Sequence, residues 1–82
     1  MWITELQKEI ISGIGSSPPY FFTLSALSLK IKHNKTTVKN NCKVLMDKTL
    51  IEEIKQGRFV CFKLTTLGSQ IFEEINKLKI LV

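Results

Sequence analysis

The chain has 82 residues, a length typical of one small domain with a single hydrophobic core. Hydrophobic residues make up 44% of it, a fraction that argues against disorder. No apolar run reaches the roughly 18 residues that cross a bilayer, and the N-terminus lacks a basic region followed by an apolar one. We therefore expect a cytoplasmic protein without a transmembrane segment.

The net charge of +5 is unevenly distributed along the chain. Half of the 12 basic residues fall in one interval, where only Asp47 opposes them: Lys30, Lys32, Lys35, Lys39, Lys43 and Lys48. A basic stripe of this kind is typical of a surface that binds a polyanion such as nucleic acid. A lysine-rich face that is merely solvated is the alternative interpretation.

Residues that could support catalysis or hold a metal are few. Cys42, Cys61 and the single histidine, His33, are too few for a structural zinc site. We expect both thiols to act as small apolar groups, and a disulfide between them is the alternative. The sequence has no paired carboxylates, no nucleophile–histidine set and no glycine-rich phosphate loop, so it predicts neither an enzyme nor a cofactor.

The first predicted helix covers residues 2 to 14. One side carries apolar residues at helical spacing: Trp2, Ile3, Leu6, Ile10 and Ile14. The polar residues between them are expected to face solvent: Glu5, Gln7, Lys8 and Glu9. Gly13 and Gly15, followed by two serines and two prolines, predict the end of this helix.

A helix-turn-helix unit is predicted over about residues 23–48. The aromatic residues 20–22 precede it and predict either a brief edge strand or an apolar plug. Thr23 is a suitable N-cap for a helix that reaches about residue 32. His33 and Asn34 then form a turn, and Asn34 is expected to cap the next helix.

The helix that begins at Lys35 and ends near residue 48 has two contrasting sides. Val38, Cys42 and Leu45 recur at i, i+4 and i+7 and predict a buried stripe. The opposite side carries Thr36, Lys39, Asn40 and Lys43, with Thr37 at its margin. Hydroxyls, amides and lysines are the groups that reach phosphates and base edges, so this side is the candidate binding surface.

Two β-rich segments around Gln56 and Gly57 predict a hairpin over about residues 50–64. Lys55 and Arg58 flank its turn and give the tip a positive charge.

A last helix, capped by Thr65 and Thr66, is predicted over about residues 66–80. The complete order of elements predicts an α+β fold, the winged helix-turn-helix. It would comprise a three-helix core, a two-stranded β-wing and a C-terminal helix, all in one domain of residues 1–82.

Two stretches of the sequence resemble a known family. Residues 34–53 are similar to the recognition-helix pattern of prokaryotic winged-helix transcription regulators, in which Ser/Thr-Thr-Val precedes polar residues, an apolar heptad and a Leu-Ile entry to the wing. Residues 62–68, Phe-Lys-Leu-Thr-Thr-Leu-Gly, look like the leucine-threonine-x-x-glycine exit from the wing in the MarR, ArsR and PadR-like groups. The resemblance covers roughly residues 20–76.

The resemblance also has departures and implications. Thr49 stands where the family usually has glycine, and the outer helix face lacks the arginine that would read guanine. The resemblance implies a homodimer, with the recognition helix in the major groove and the wing along the backbone or minor groove. A chain this short leaves no room for the effector pocket of larger regulators, and small members occur in archaeal viruses and plasmids, a setting that this Lys/Ile-rich chain fits.

Asn40 is the predicted base-reading residue, because an amide can bond bidentately to adenine N6 and N7. A solvated surface asparagine is the alternative. Thr36 and Thr37, at the helix start, are expected to meet a phosphate, and simple capping is the competing interpretation.

The cationic candidates divide between the helix and the wing. Lys35, Lys39 and Lys43 are expected to contact phosphates and to add salt-dependent affinity. Lys55 and Arg58 could follow the backbone or enter a narrow minor groove. A charged hairpin tip that only prevents edge pairing is the alternative.

An excess of apolar residues on the two terminal helices predicts a dimer interface. Trp2 on the first helix and Phe72, Ile75 and Leu78 on the last are more than a fold of this size easily covers. We expect these helices to pair across a two-fold axis.

The sequence therefore predicts a sequence-specific, double-stranded DNA-binding transcription regulator. A winged-helix module that binds another protein, without sequence-specific reading of DNA, is the alternative.

Overall fold

The computed structural model describes residues 3–16 and 18–81, with all their side chains except those of Gln56 and residues 78–81. In chain order the elements are α1 (Glu5–Gly15), β1 (Phe21–Thr23), α2 (Leu24–Ile31), α3 (Lys35–Asp47), β2 (Ile51–Gln56), β3 (Phe59–Leu64) and α4 (Thr66–Leu81). This order confirms the predicted winged helix-turn-helix, with α2 and α3 as the helix-turn-helix and β2 and β3 as the wing.

The strands form one antiparallel sheet in the order β1-β3-β2. Because β1 pairs with β3 along its whole length, the aromatic run after the first loop is an edge strand and not a plug. In the wing Gln56 pairs with Phe59, so the loop consists of Gly57 and Arg58. The predicted turn is thus one residue too early. Gly57, at φ +61°, supplies the left-handed first position that such two-residue loops require.

α1 begins at Glu5, three residues later than predicted, because Thr4 caps it. The Gln7 N–H donates to the Thr4 hydroxyl at 3.2 Å, and the Thr4 N–H donates to Gln7 Oε1 at 3.2 Å. Together these two bonds form a capping box, which satisfies donors that a helix start otherwise leaves free.

Gly13 lies inside α1, so the prediction that it helps to end the helix is wrong. A Cβ added there would lie 3.2 Å from Ile31 Cγ2 and 3.4 Å from Leu27 Cδ1. Gly13 therefore allows α1 and α2 to cross closely. The helix ends after Gly15, with Ser16 as its C-cap.

The core lies between α1, the helix-turn-helix and the sheet. Its completely buried side chains are Ile10, Ile11, Ile14, Leu27, Val38, Cys42, Leu45 and Leu50. The predicted stripe of α3 is confirmed, since all three of its members are among them. Burial of an aliphatic side chain of this size stabilises a fold by about 1.5–3 kcal/mol, so the stripe fixes which side of α3 faces solvent.

α3 ends in a Schellman motif. The Leu50 N–H donates to the Leu45 carbonyl at 3.0 Å, and the Thr49 N–H donates to the Met46 carbonyl at 3.0 Å. Thr49 occupies the left-handed position of the motif, at φ +59°. A β-branched residue is strained there, so the departure from the family glycine falls on the position where glycine fits best.

The exit from the wing into α4 depends on Thr65 and Gly68. The Gly68 N–H donates to Thr65 Oγ1 at 3.1 Å, which makes Thr65 the cap of α4. A Cβ added at Gly68 would overlap the carbonyl oxygen of Leu50. The glycine of the exit motif therefore lets α4 pack against the chain as it enters the wing.

Candidate nucleic-acid interface

Asn34 starts α3 as predicted. Its backbone is extended, and its Oδ1 accepts a hydrogen bond from the Thr37 N–H at 2.8 Å. The side chains of Lys35 and Thr36 are exposed at this helix start. Backbone N–H groups at a helix start lack intrahelical partners, so this end of α3 suits an anion such as phosphate.

The solvent face of α3 is polar and basic. Its exposed side chains include Lys35, Thr36, Lys39, Asn40 and Lys43, and Thr37 is half-buried at the margin. Thr36, Lys39, Asn40 and Lys43 lie on the side opposite the buried stripe, and Lys35 is exposed beside them at the helix start. The structure thus brings the predicted contacts of α3 onto one continuous surface.

Two other side chains share this face and were not among the predicted contacts. Val44, one turn beyond Asn40, is 39% exposed, and Asp47, one turn beyond Lys43, is exposed. An apolar side chain beside an amide can contact the methyl group of thymine. A carboxylate repels phosphates, so the surface that suits a polyanion ends before Asp47.

Asn41 is tied to α1. Its Oδ1 accepts from Gln7 Nε2 at 3.1 Å, and its Nδ2 donates to the Thr37 carbonyl at 2.8 Å. Gln7 is only 5% exposed, so the expectation that it faces solvent is wrong. Its position i−3 from Ile10 and i−4 from Ile11 places it on the buried side of α1, and this spacing was the available signal.

The wing tip concentrates positive charge. Lys55 lies on β2 opposite Val60, Arg58 lies in the loop, and both cations are exposed. Closer to the core, Lys63 Nζ lies 3.0 Å from Glu52 Oε1 on the neighbouring strand. Because that pair is neutral overall, the charge available to a polyanion lies at the tip.

The wing tip also exposes apolar groups that sequence reasoning missed. Phe59 is 65% exposed and Val60 is 37% exposed, whereas the next two residues of β3 are buried. Consecutive residues of a strand point to opposite faces, so both faces of the hairpin are accessible at this end. The tip therefore projects beyond the core, which strand alternation alone could not reveal.

The residues predicted for a dimer interface are only partly described. Phe72 and Ile75 are half-buried and pack against the core, and the Phe72 ring lies so close to Gly15 that a Cβ there would be 2.8 Å from Phe72 Cδ1. Trp2 and the side chain of Leu78 lie outside the described residues. The contact across a two-fold axis stays a prediction.

The cysteines are buried and free, in keeping with a role as small apolar side chains. Burial raises the pKa of the Cys42 thiol to about 11, because the charged thiolate would lose its hydration. Among the residues that the structure describes, no group of three or more histidine, cysteine or acidic side chains could hold a metal. Within the same ranges, no helix has the length and apolar character needed to cross a membrane.

Solved structures of winged-helix regulators are similar to this chain. The reduced form of MarR from E. coli has a TM-score of 0.85 and 26% sequence identity, and the match covers 93% of this chain and 57% of that one. Streptococcus pneumoniae FabT in complex with DNA has a TM-score of 0.87 and 24% identity, over 96% of this chain and 56% of FabT. Bordetella bronchiseptica BpsR, whose DNA binding is regulated by 6-hydroxynicotinic acid, has a TM-score of 0.83 and 18% identity, over 96% and 56%.

This chain thus spans a little over half the length of these structures. No protein-family model matches the sequence, and no curated protein matches it significantly. Transcription regulators of the MarR family are among the structural neighbours, and these are not enzymes, which agrees with the prediction made from the sequence. The fold of this chain is the MarR-type winged helix-turn-helix, a fold that supports a DNA-binding regulator.

Proposed function

We propose that this chain is a cytoplasmic, sequence-specific regulator of transcription that binds double-stranded DNA as a homodimer. In this proposal α3 lies in the major groove, and the wing contacts the backbone or the minor groove. The exposed face of α3 carries the proposal, because its amide, hydroxyl and lysine side chains lie opposite a completely buried stripe on a winged-helix scaffold. The FabT structure in complex with DNA, which shares the fold, supports it.

Asn40 reads bases in this proposal. Its amide is exposed, with Thr36 one turn before it and Val44 one turn after it. An amide pairs best with the N6 and N7 atoms of adenine, and Val44 can contact a thymine methyl group. α3 contains no arginine to read guanine, so the proposed readout favours A·T pairs.

Phosphate contacts supply most of the proposed affinity. Lys35, Lys39 and Lys43 are exposed on α3 and would neutralise phosphates with release of counterions. The start of α3 offers one phosphate the hydroxyls of Thr36 and Thr37 and the backbone N–H groups that precede the Thr37 N–H, which itself donates to Asn34. Lys55 and Arg58 at the wing tip form a second basic contact, on the backbone or in the minor groove.

The proposed homodimer pairs α1 and α4 of two copies, with Trp2, Phe72, Ile75 and Leu78 in the interface. Such a pairing would set two recognition helices about 34 Å apart, one turn of DNA. The proposal includes no small-molecule effector. BpsR, a neighbour of 18% identity, is regulated by 6-hydroxynicotinic acid, so an effector is the competing possibility for this chain.

A protein-binding module is the second candidate function. Leu29 on α2 is 80% exposed and Phe59 at the wing tip is 65% exposed, and a protein partner could cover either side chain. Leu29 is one apolar side chain, and Phe59 and Val60 form a patch of two, whereas α3 presents a longer face of mostly polar and basic side chains. DNA reading is therefore favoured.

Selection from random DNA duplexes at physiological salt tests the proposed function. We expect enrichment of an A·T-containing motif with two half-sites about 10 base pairs apart. Recovery of unenriched sequences after several rounds would contradict sequence-specific reading and favour the protein-binding module.

A further inference from the structure

We infer that Gln7 on α1 is a positioning residue for the recognition helix α3, and that it acts through Asn41. The inference rests on the proposed function, in which α3 reads DNA. Gln7 is not among the proposed DNA contacts, and α1 supplies none of them.

A chain of hydrogen bonds links the start of α1 to the middle of α3. The Thr4 N–H donates to Gln7 Oε1 at 3.2 Å, Gln7 Nε2 donates to Asn41 Oδ1 at 3.1 Å, and Asn41 Nδ2 donates to the Thr37 carbonyl at 2.8 Å. Asn41 follows the proposed base-reading residue directly, and Thr37 lies at the margin of the DNA face. These three hydrogen bonds, which we call the relay, therefore end on the segment of α3 that would enter the groove.

The direction of this relay is fixed at both ends. A backbone N–H can only donate, so the oxygen of Gln7 must face Thr4; a backbone carbonyl can only accept, so the nitrogen of Asn41 must face Thr37. The remaining nitrogen of Gln7 and the remaining oxygen of Asn41 then face each other as donor and acceptor. Only one arrangement of the two amides satisfies all three bonds.

Burial makes the hydrogen bond between Gln7 and Asn41 difficult to replace. Gln7 is 5% exposed and Asn41 is half-buried, so water does not readily replace the bond between them. A buried polar group without a partner is unfavourable, and a small roll of α3 on α1 would break this bond. The buried apolar stripe holds α3 against the core but permits small rotations of the helix. The hydrogen bond between Gln7 and Asn41 forms at one orientation of α3 only.

α1 also reaches the residue that precedes the cap of α3. Glu9 Oε2 lies 3.0 Å from Nε2 of His33, next to Asn34. α1 is thus tied to the recognition helix at two places, one before its start and one in its second turn. The contact between Glu9 and His33 is half-exposed, so we assign the fixed orientation of α3 to the buried contact between Gln7 and Asn41.

A matched set of variants separates the relay from the capping box. Gln7→Glu keeps an oxygen for the Thr4 N–H, and glutamate suits this position of a capping box, but it has no N–H for Asn41. Gln7→Met removes the relay without adding charge. The control, Thr4→Ala, removes the hydroxyl that accepts from the Gln7 N–H and leaves the bond from Gln7 to Asn41 in place.

Amide hydrogen exchange on the free protein tests the positioning role without DNA. We expect exchange to accelerate about tenfold in residues 37–43 of α3 in both Gln7 variants. In Thr4→Ala the acceleration should stay within the first turn of α1. Acceleration confined to α1 in the Gln7 variants would overturn the inference. Asn41→Leu removes the same bond from α3 and should reproduce the result if either Gln7 variant fails to fold.

Binding to two duplexes then separates this inference from the proposed function. For a selected site we expect Gln7→Met to weaken binding about tenfold, with less than a twofold change for a scrambled duplex, and Thr4→Ala to change neither. Equal losses on both duplexes would overturn the positioning role. If the unmodified chain does not distinguish the two duplexes, the proposed function fails, and the exchange pattern alone decides whether Gln7 positions α3.

Discussion

Thr49 holds a backbone conformation that its own side chain disfavours. It occupies the left-handed position of the Schellman motif that ends α3, at φ +59°. This conformation destabilises the folded state by about 1–2 kcal/mol for a residue with a Cβ, whereas glycine adopts it freely. Glycine in turn lowers the free energy of the unfolded chain by about 0.5–1 kcal/mol, because it adds conformational entropy there. We therefore predict that Thr49→Gly raises the free energy of unfolding by about 0.5–1 kcal/mol, and the melting temperature by roughly 2–8 °C.

Urea and thermal unfolding measure this effect. Thr66→Gly is the matched control, because the same chemical change at a residue of α4 with ordinary helical φ should lower stability. A loss of stability in Thr49→Gly would show that the position stores no strain.

The Cys42 thiol links stability to alkaline pH. Its pKa rises from an ordinary 9.0 to about 11 in the folded chain, because burial disfavours the thiolate. The contribution of the neutral Cys42 thiol to the free energy of unfolding is complete below pH 9. It is lost between pH 9 and 11, because the thiol of the unfolded chain ionises first. By linkage the loss at pH 10 is about 1.4 kcal/mol.

Cys42→Ala tests this linkage. The substitution lowers stability at every pH because it leaves a cavity, but it should reduce the further loss between pH 8 and pH 10 by about 1.4 kcal/mol. Urea unfolding at both pH values gives the comparison. An identical pH-dependent loss in the two proteins would mean that the thiol does not titrate as described.

At the scale of elements, α3 should supply its affinity through lysines that act independently of sequence. Lys43 is exposed on the face opposite the buried stripe. Lys43→Ala should therefore weaken binding to all duplexes and lower the slope of log K against log salt by about 0.9. Lys77→Ala, an exposed lysine on α4, is the control and should leave the slope unchanged. An unchanged slope in Lys43→Ala would remove Lys43 from the phosphate contacts.

The elements themselves were largely predictable, because periodicity and caps are local. Thr23 and Asn34 cap α2 and α3 as their residue types predict, with N–H···O distances of 3.2 and 2.8 Å. Errors arose where a partner distant in sequence decides. Gln7 is buried because Asn41, 34 residues away, completes its hydrogen bonds, and Gly13 lies within a helix because α2 crosses there.

The polar and basic residues of the candidate site were predictable from the sequence, but the extent of its accessible surface was not. Helical spacing identified the outer face of α3, and the same spacing places Val44 one turn beyond Asn40, but Val44 was missed because only polar side chains were considered as contacts. Phe59 was missed for another reason: how far the hairpin extends beyond the core depends on how the sheet packs.

At the scale of the whole molecule, α1 and α4 have two tasks in the proposal. They pack against each other within one chain, and they are also proposed to pair with a second copy. Sedimentation at micromolar concentration should show a species of twice the 9.4 kDa chain mass, both free and on a duplex with two half-sites. A monomer under both conditions would contradict the homodimer.

Asn40→Ala tests most directly whether α3 reads base sequence. Binding is measured at physiological salt to a selected duplex and to a scrambled duplex of the same composition. We predict that affinity for the selected site falls about tenfold or more, while affinity for the scrambled duplex stays nearly constant, because phosphate contacts are retained. Equal losses on the two duplexes, or no loss on either, would contradict sequence reading by α3.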